Sequence, residues 1–408
     1  MNCRHCKKIL QHTFLDLGFA PPSNAYLNKK DLSKPEIYYP LKVHVCDNCW
    51  LVQTEDYNDA DALFTPKYAY FSGTSSSWSE HVKKYTEKMI NELNLNSDSY
   101  VIEIASNDGC LLKNFVESKI PCLGIEPTKS TADVAKKMGI PVLTKFFGEA
   151  LGKKLAAEGK QANLVIGNNV FAHVPDINDF TRGLKAILKP GGIITLEFPH
   201  LMRLIEHTQF DTIYHEHYSY LSLFTANKIF KAAGLRIWNV EELITHGGSL
   251  RIYGCHDNDK HKTKESVSSL IQEENMKHGL QTLQTYFNVQ SRANKIKNDL
   301  LSFLIEQKKI GKKVVAYGAA AKGNTLLNYA GIKSDLLSSI CDAALAKQDQ
   351  FMPGSHIPIV SPEYLKTLEL DYILILPWNI AKEIKQENIA FEKKGVKFVI
   401  SSPHLQLI

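Results

Sequence analysis

Short apolar runs alternate with amphipathic stretches from residue 99 onward. The apolar runs include SYVIEIA at 99–105, PCLGIEP at 121–127 and GGIITLEFPH at 191–200. Stretches with helical spacing of apolar residues separate them, for example KSTADVAKKMG at 129–139. This alternation predicts a parallel, doubly wound sheet, because each helix returns the chain across one face of the sheet. Ligands bind such sheets at the carboxyl ends of the strands, so the functional residues are expected there.

The C-terminal third of the chain shows the same pattern a second time. An apolar run, KVVAYG at 313–318, predicts a strand that turns into a helix. The preceding residues 263–309 are polar and rich in lysine and glutamine, with apolar residues at helical spacing, which predicts bridging helices. We therefore predict an α/β protein with three parts: an N-terminal module (1–65), a central doubly wound sheet (66–262), and a helical linker with a second Rossmann-like α/β domain (263–408).

Four of the eight cysteines form two pairs with identical spacing, Cys3-x-x-Cys6 and Cys46-x-x-Cys49. Each pair can bind one metal ion from a tight turn, and two pairs complete a tetrahedral all-thiolate site. Four thiolates leave no open position for water. The predicted zinc ion is therefore structural, and it contributes folding energy to a segment that is poor in core residues. Three nearby histidines are alternative ligands: His5, His12 and His44.

Composition excludes several classes of protein. The 408 residues are 44% hydrophobic and 22% charged with a formal net charge of +5, which is not the charge of a dedicated nucleic-acid binder. No apolar stretch approaches the roughly 18 residues of a membrane-spanning helix, and MNCRHCKKILQH at the N-terminus lacks the apolar core of a signal peptide. We therefore predict a cytoplasmic protein with reduced cysteines and without nucleic-acid or membrane partners.

The loop after the first strand of the central sheet has one glycine and lacks the G-x-G-x-x-G pattern of nicotinamide-binding folds. Glu103 lies within that strand. Glu126 ends the next strand, where an acidic residue suits the two hydroxyls of an adenosine ribose, although a solvated strand end is the alternative. A ligand with a ribose, an amino acid group and no phosphate is S-adenosylmethionine, so we predict a class I methyltransferase sheet. The predicted cofactor-binding residues of this sheet are Glu103, Asn107, Gly109, Glu126, Asn169 and His173, the last with a helix-entry role as its alternative.

The segment Tyr214-His215-Glu216-His217 places four polar side chains next to one another. It is not the H-E-x-x-H zinc motif, which needs two histidines four positions apart on one face of a helix. If the segment is extended, His215 and His217 share a face and Glu216 points to the opposite one, so that both histidines line one cavity. The alternative is that both are structural histidines satisfied by their neighbours.

Gly318 and Gly323 bracket the predicted strand-to-helix turn of the second α/β unit. The N-terminal amides of the helix could hold a phosphate, and Lys322 adds positive charge. The pattern differs from a Walker A loop, because the lysine precedes the second glycine. The alternative is a glycine turn that only packing requires.

Together these motifs resemble those of the zinc-containing nucleotide-sugar C-methyltransferases of deoxysugar biosynthesis. The resemblance covers nearly the whole chain and is most specific at YHEHYSYLS, residues 214–222. It implies methylation next to a keto group, commonly at the 3' carbon of a nucleoside-diphospho-4-keto-6-deoxyhexose, by an enzyme for which a monomer is sufficient. The other motifs that carry it are the CxxC pairs, Tyr68-x-Tyr70-x-Ser72, EIASNDG (103–109), NNVFAHVPD (168–176), GGSLR (247–251), YGAAAKGNTLLN (317–328) and LPWN (376–379).

The resemblance also implies roles for individual residues. The histidine and the tyrosine of the Y-x-E-H block do proton chemistry in this family, so we expect His217 to abstract the 3' proton and Tyr214 to hydrogen-bond the enolate oxygen. Glu216 is expected to bind a substrate hydroxyl or amino group, or to change the pKa of a neighbour. Tyr68 is expected in a lid near the methyl donor, with a packed linker as the alternative. The expected substrate-binding residues are Lys322, Asn324 and Asn379.

Two other functions account for parts of this pattern. An RNA methyltransferase, or another small-molecule methyltransferase, can combine a zinc module with a similar sheet. An RNA enzyme needs a basic, aromatic face, whereas the 48 basic residues here are dispersed among 43 acidic ones. The second alternative is a non-enzymatic zinc-ribbon binding protein with a degenerate methyltransferase fold. The intact Glu103, Gly109 and Glu126 and the YHEH block argue against degeneration.

Overall fold

The structure, a computed structural model, describes residues 1–57 and 71–408. These residues form three β-sheets with helices packed around them. No helix in the described ranges is both long enough and apolar enough to cross a membrane.

The N-terminal module contains an antiparallel sheet built from β1 (His12–Ala20), β2 (Tyr39–Val45) and β3 (Val52–Thr54). Along β2 the buried positions alternate, so that the side chains of Leu41, Val43 and Val45 face the core. A fourth strand is added next to β3 by residues 219–220, which lie far along the chain. The N-terminal module is thereby joined to the central part by a continuous sheet.

The central sheet has seven strands: β4 (Val101–Ile104), β5 (Cys122–Ile125), β6 (Val142–Leu143), β7 (Ala162–Asn168), β8 (Leu188–Pro199), β10 (Leu235–Leu243) and β11 (Ser249–His256). Their order across the sheet is β6-β5-β4-β7-β8-β11-β10. Five neighbouring strands run parallel, and β11 runs antiparallel to both β8 and β10. This topology confirms the predicted doubly wound α/β sheet. The strand β9 (Ser219–Tyr220) also comes from this part of the chain, but it lies in the N-terminal sheet.

Among the described residues, seven α-helices belong to the central part. The helix at Ile177–Ile187 shows how the sequence sets where a helix starts and which face it buries. It starts after Asp176, whose carboxylate accepts hydrogen bonds from the N–H groups of Asn178 and Asp179. Ile177, Phe180 and four further residues are buried on one side of it. The helices are α1 (Ser76–Leu93), α2 (Leu112–Glu117), α3 (Lys129–Lys137), α4 (Glu149–Ala157), α5 (Ile177–Ile187), α6 (Leu201–Glu206) and α7 (Leu223–Ala232).

The polar segment before the second α/β unit is helical, as its periodicity predicts. Its helices are α8 (Glu265–Gln272), α9 (Leu283–Phe287) and α10 (Val289–Lys309). The C-terminal unit follows the bridging helices. Its elements are β12 (Val314–Tyr317), α11 (Ala321–Ala330), β13 (Ile340–Cys341), β14 (Ile359–Val360), α12 (Pro362–Leu365), β15 (Tyr372–Ile375), α13 (Ala381–Glu387), α14 (Ile389–Glu392), β16 (Lys397–Ile400) and β17 (Gln406–Leu407). The strands form a sheet in the order β14-β13-β12-β15-β16-β17, and all of them are parallel except β17.

A buried carboxylate fastens the bridging segment to the central part. Glu274 is 0% exposed and accepts hydrogen bonds from the backbone N–H groups of Leu223 and Phe224 at the start of α7. His200 Nε2 donates a third bond, of 2.7 Å, to the same carboxylate. The negative charge thus lies at the positive end of the α7 dipole, which is a favourable arrangement.

Glu274→Leu is expected to lower the stability of the protein by about 2–4 kcal/mol, because the N–H groups of Leu223 and Phe224 and the buried imidazole of His200 lose their acceptor. The measurement is the midpoint of urea unfolding. Glu265→Leu, at an exposed position of α8, is the matched control and is expected to change stability by less than about 0.5 kcal/mol. Equal midpoints for Glu274→Leu and the wild type would show that this carboxylate does not stabilise the fold.

Candidate active site

A cavity of about 520 Å³ lies where the three parts of the chain meet. It begins at the carboxyl ends of β4, β5 and β7 and extends to the N-terminal end of α11. Asn24 reaches it from the N-terminal module, and Lys322 and Lys347 reach it from the C-terminal unit. Residues predicted for the cofactor, the proton chemistry and the substrate therefore border one space.

Glu126 lies at the end of β5 and borders the cavity. Its carboxylate accepts hydrogen bonds from the backbone N–H groups of Asn107 (2.9 Å) and Thr128 (2.8 Å). Burial raises the pKa of Glu126 above its usual range. A carboxylate has further acceptor positions beyond these two bonds, so Glu126 can bind hydroxyl groups of a ligand in the cavity.

Two of the predicted cofactor residues do not border the cavity. Glu103 lies inside β4, and burial together with the charges of Asp108 and Glu126 raises its pKa well above the usual range. Within the described residues, Glu103 Oε2 has no hydrogen-bond partner. Gly109 has a φ of +79°, and a Cβ atom there would lie 2.4 Å from Ile140 Cδ1. Gly109 therefore shapes the loop by its left-handed backbone and its close packing.

The end of β7 supplies polar groups to the cavity wall. Asn169 has a φ of 52°, and its backbone N–H donates to the carbonyl oxygen of Glu197 at 2.7 Å. Within the described residues, Oδ1 of Asn169 and both polar side-chain atoms of Asn168 are buried and have no hydrogen-bond partner. Burial lowers the pKa of His173 to about 4, so its imidazole is neutral at pH 7. Such orphaned polar atoms fit the amino acid group of S-adenosylmethionine. Tyr68 lies outside the described residues.

Residues 214–217 include the residues predicted to be catalytic, and this segment is here called the catalytic turn. It reverses the chain direction, since the backbone N–H of His217 donates to the carbonyl oxygen of Tyr214 at 2.9 Å. His217 Nδ1 donates to the carbonyl oxygen of Thr212 at 2.8 Å. Nε2 of the neutral ring is therefore the acceptor, and the Tyr214 hydroxyl donates to it at 2.8 Å. Burial lowers the pKa of His217 well below the usual range. The two side chains form a hydrogen-bonded pair that faces the cavity.

The expectation that His215 and His217 share a face, with Glu216 opposite, is wrong. It assumed an extended segment, but the chain turns at these residues, so that Glu216 and His217 border the cavity together and His215 does not. The His215 ring packs against Tyr39, with 6.0 Å between ring centroids, and its Nε2 donates to the carbonyl oxygen of Pro40 at 3.2 Å. His215 therefore connects the catalytic turn to the N-terminal module.

Asn24 and His246 are among the cavity residues that sequence reasoning missed. Asn24 Nδ2 donates to both carboxylate oxygens of Glu216, at 2.9 and 2.7 Å, across 192 positions of the chain, and no local motif marks it. His246 borders the cavity in a left-handed conformation (φ 56°, ψ 17°), and burial lowers its pKa to about 4. The signal that could have found His246 is its place directly before Gly247, which begins the GGSLR motif.

Lys322 lies in the first turn of α11, whose N-terminus has no side-chain cap. Its Nζ donates to Asn379 Oδ1 at 2.6 Å and lies 4.5 Å from the centroid of the Trp378 ring. Burial lowers the pKa of Lys322 to about 8. Asn379 and Asn324 do not border the cavity. Asn324 is fully buried, and neither polar atom of its side chain has a partner within the described residues.

The four cysteines of the CxxC pairs form a second centre, in which all Sγ atoms lie within 4.8 Å of one another. Each pair forms a similar tight turn: the residues after the pairs, Lys7 and Trp50, have a φ of 63°, and their N–H groups donate to the first cysteine's carbonyl oxygen at 3.0 and 2.9 Å. Gln53 Nε2 donates to Cys3 Sγ at 3.3 Å. Four converging thiols of this kind fit a closed tetrahedral zinc site. Bound zinc would cross-link the two turns.

Comparisons with known proteins match three family models to successive parts of the chain. A family model for a zinc binding domain matches residues 3–64, one for a methyltransferase domain matches 78–240, and one for the C-methyltransferase C-terminal domain matches 244–403. The C-methyltransferase NovU of Streptomyces niveus is 31% identical over 406 residues, which are 100% of this chain and 96% of NovU.

Among solved structures, the likeness is confined to part of the chain. An S-adenosylmethionine-dependent methyltransferase from Anabaena variabilis is 16% identical, with a TM-score of 0.39, over 49% of this chain and 96% of its own. A magnesium protoporphyrin IX methyltransferase from Synechocystis, with bound S-adenosylmethionine, is 14% identical, with a TM-score of 0.34, over 43% of this chain and 78% of its own.

The full-length match to a C-methyltransferase and the three domain matches confirm the predicted class of enzyme, an S-adenosylmethionine-dependent C-methyltransferase with a zinc-binding domain. The chain belongs to the C-methyltransferase family that combines these three domains.

Proposed function

We propose that the protein methylates the 3' carbon of a nucleoside-diphospho-4-keto-6-deoxysugar. The observation that carries this proposal is the hydrogen-bonded pair of Tyr214 and His217 in a cavity that has Glu126 on one side and Lys322 on the other. S-adenosylmethionine supplies the methyl group as an electrophile. The remaining task of the protein is to make a sugar carbon nucleophilic and to hold that carbon next to the methyl group.

We assign the cofactor to the side of the cavity that lies along the central sheet. Glu126 would bind the ribose hydroxyls, and Asn107 and Asn169 would contact the rest of the molecule. Glu103 does not border the cavity, and its orphaned buried oxygen lies behind this wall. Tyr68 is assigned to the cofactor.

A carbon next to a keto group loses its proton readily only when the resulting enolate is stabilised as it forms. The Thr212 carbonyl keeps the proton of neutral His217 on Nδ1, so Nε2 is available as a base. The Tyr214 hydroxyl occupies Nε2 in the structure. When the 4' oxygen of a substrate takes over the hydrogen bond of Tyr214, Nε2 is released to accept the 3' proton. The pair thus supplies both the base and the enolate donor.

Burial keeps this base uncharged until it acts. His217 is neutral at pH 7, and the nearby His173 and His246 are neutral for the same reason. Lys322 disfavours a positive charge on His217 in the resting site. The enolate that forms beside the protonated ring carries the compensating negative charge, so proton transfer creates an ion pair within the cavity.

Glu216 would accept a hydrogen bond from a hydroxyl or amino group of the sugar. Its two oxygens are held by Asn24 from the N-terminal module. This contact fixes the plane of the carboxylate and therefore the direction in which it can bind a substrate group.

The C-terminal unit would bind the diphosphate of the sugar nucleotide. Lys322 and the uncapped N-terminus of α11 offer a cation and backbone N–H groups to an anion. Asn379 orients the Lys322 ammonium group, and Asn324 lies behind the same turn. With this assignment, residues 263–408 hold the nucleotide end of the substrate and residues 66–262 hold the methyl donor. One copy of the chain contains every assigned residue.

Replacing the base tests the proton step directly. His217→Ala is expected to reduce kcat for methylation by at least about 100-fold, because a positioned general base is lost. The same variant is expected to lose exchange of the 3' proton with deuterated solvent, read by mass spectrometry without any methyl transfer. His207→Ala, at an exposed histidine, is the control. If His217→Ala exchanges the 3' proton at nearly the normal rate, His217 is not the base.

Substrate binding is expected to weaken in alkaline solution. Lys322 has a pKa of about 8, so it carries its charge below that pH and loses it as the pH rises through that value. The KM for the sugar nucleotide should therefore rise above pH 8 in the wild type. Lys322→Arg keeps its charge at every accessible pH and should remove this rise. An identical pH profile of KM in both proteins would exclude Lys322 from diphosphate binding.

Asn24→Ala is expected to raise the KM for the sugar nucleotide about tenfold, because Glu216 loses the donor that orients its carboxylate. The affinity for S-adenosylmethionine, measured by calorimetry, should stay unchanged. Asn28→Ala is the matched control, since Asn28 lies in the same loop and is exposed. An unchanged KM in Asn24→Ala would show that Glu216 does not depend on this contact.

A further inference from the structure

We propose that Arg4 is a positioning residue that fastens the catalytic turn to the zinc site. The inference rests on the proposed roles of Tyr214 and His217. Arg4 lies inside the first CxxC pair, between Cys3 and Cys6, and its side chain is directed away from the thiols towards the central part.

Hydrogen bonds connect Arg4 to the thiol cluster through one buried side chain. Gln53 is 0% exposed, and its Nε2 donates to Cys3 Sγ at 3.3 Å. Its Oε1 accepts from the backbone N–H of Arg4 at 2.8 Å. A metal-bound Cys3 would therefore hold Gln53, and Gln53 holds the backbone of Arg4.

The guanidinium group of Arg4 continues this connection to the end of the catalytic turn. Arg4 is 6% exposed, and its Nε donates to the carbonyl oxygen of Tyr218 at 3.2 Å, while the guanidinium carbon lies 5.0 Å from the centroid of the Tyr218 ring. Its Nη2 donates to the carbonyl oxygen of Thr54 at 2.7 Å. Thr54 Oγ1 in turn donates to the carbonyl oxygen of His217 at 3.0 Å. Two short paths thus lead from Arg4 to the backbone of the proposed base.

The same side chain also holds the loop that follows His173. Arg4 Nη1 donates to the carbonyl oxygen of Pro175 at 3.1 Å, and Asp56 binds the guanidinium group from the solvent side. The backbone N–H of Tyr218 donates to the carbonyl oxygen of Ala172 at 2.8 Å. Arg4 therefore sits where the zinc module, the catalytic turn and the cofactor edge of the sheet come together.

Regular secondary structure restrains this segment only weakly. β9 is two residues long and pairs with β3 only through Ser219 and Tyr220. The catalytic turn itself belongs to no helix or strand. A lysine in place of Arg4 would offer one ammonium group where the planar guanidinium makes bonds in several directions. Loss of these bonds would let the backbone of His217 shift, and a shift of roughly 1 Å can reduce a rate about 100-fold.

The experiment uses the full-length, zinc-loaded protein with Arg4→Lys and Arg4→Met. Zinc content and affinity for S-adenosylmethionine are expected to stay unchanged. Amide hydrogen exchange of residues 217–220 is expected to rise at least about tenfold, and kcat to fall about tenfold or more while KM changes less than about threefold. Arg182→Met is the control, because Arg182 is an exposed arginine that pairs with Glu149.

Unchanged amide exchange at residues 217–220 in Arg4→Lys would overturn the inference, as would a normal kcat in a variant whose exchange has risen. If Arg4→Met does not fold, Arg4→Lys still decides. A loss of zinc or of cofactor binding in parallel with kcat would assign Arg4 to the folding of the module and would also overturn it. If the wild type methylates no sugar nucleotide, the proposed function fails, while the exchange measurement still shows whether Arg4 holds the segment.

Discussion

The pairing of β3 with β9 joins the catalytic turn to the N-terminal sheet, and the position of the proposed base in the cavity depends on this pairing. On one side, this pairing joins the turn to the sheet that carries the cysteine cluster. On the other side, Thr325 Oγ1 of α11 donates to the carbonyl oxygen of Ile213 at 2.8 Å, and Trp378 Nε1 donates to Asp211 Oδ2 at 2.7 Å. Contacts from the N-terminal and the C-terminal parts of the chain therefore hold the segment that carries the proposed base. Residues from all three parts line the cavity beside it.

Two kinds of ionisable group lie around the cavity: a carboxylate that stays charged at pH 7, and histidines that stay neutral at that pH. Glu197, at the end of β8, accepts bonds from His81, Thr245 and Arg251. Burial alone would raise its pKa, but His81 and Arg251 lower it to about 2. This charged network anchors Thr245, and Thr245 precedes His246 in its left-handed conformation. Burial instead lowers the pKa of the histidines around the cavity, His173, His217 and His246, so that they stay neutral. A neutral imidazole at pH 7 suits the proposed role of His217 as the base.

Much of the molecule could be predicted from local patterns. The alternation of apolar runs and amphipathic stretches predicts the doubly wound sheet, and the spacing of the cysteines predicts a cluster whose Sγ atoms do converge. The motif at 214–217 also indicates residues that face the cavity, although the extended backbone conformation predicted for it is wrong. A period of two is a property of extended chain, and four residues are too few to distinguish a strand from a turn.

Contacts between distant parts of the chain could not be predicted from the sequence alone. The bond between Asn24 and Glu216 spans 192 positions, and the one between Arg4 and Tyr218 spans 214. Neither residue belongs to a periodic pattern that would reveal its partner. The pairing of β9 is equally hidden, because two residues carry too little alternation to indicate a strand. The sequence thus indicates the chemical groups of the site, and the tertiary fold decides which of them meet.

The most direct test of the proposed function is mass spectrometry of the zinc-loaded protein incubated with S-adenosylmethionine and a panel of 4-keto-6-deoxysugar nucleotides. We expect one of these compounds to gain a single methyl group, and we expect fragmentation to place this group on the 3' carbon. Methylation of RNA, or of an oxygen or nitrogen of the sugar, with no gain at carbon in any keto sugar of the panel, would contradict the proposed function.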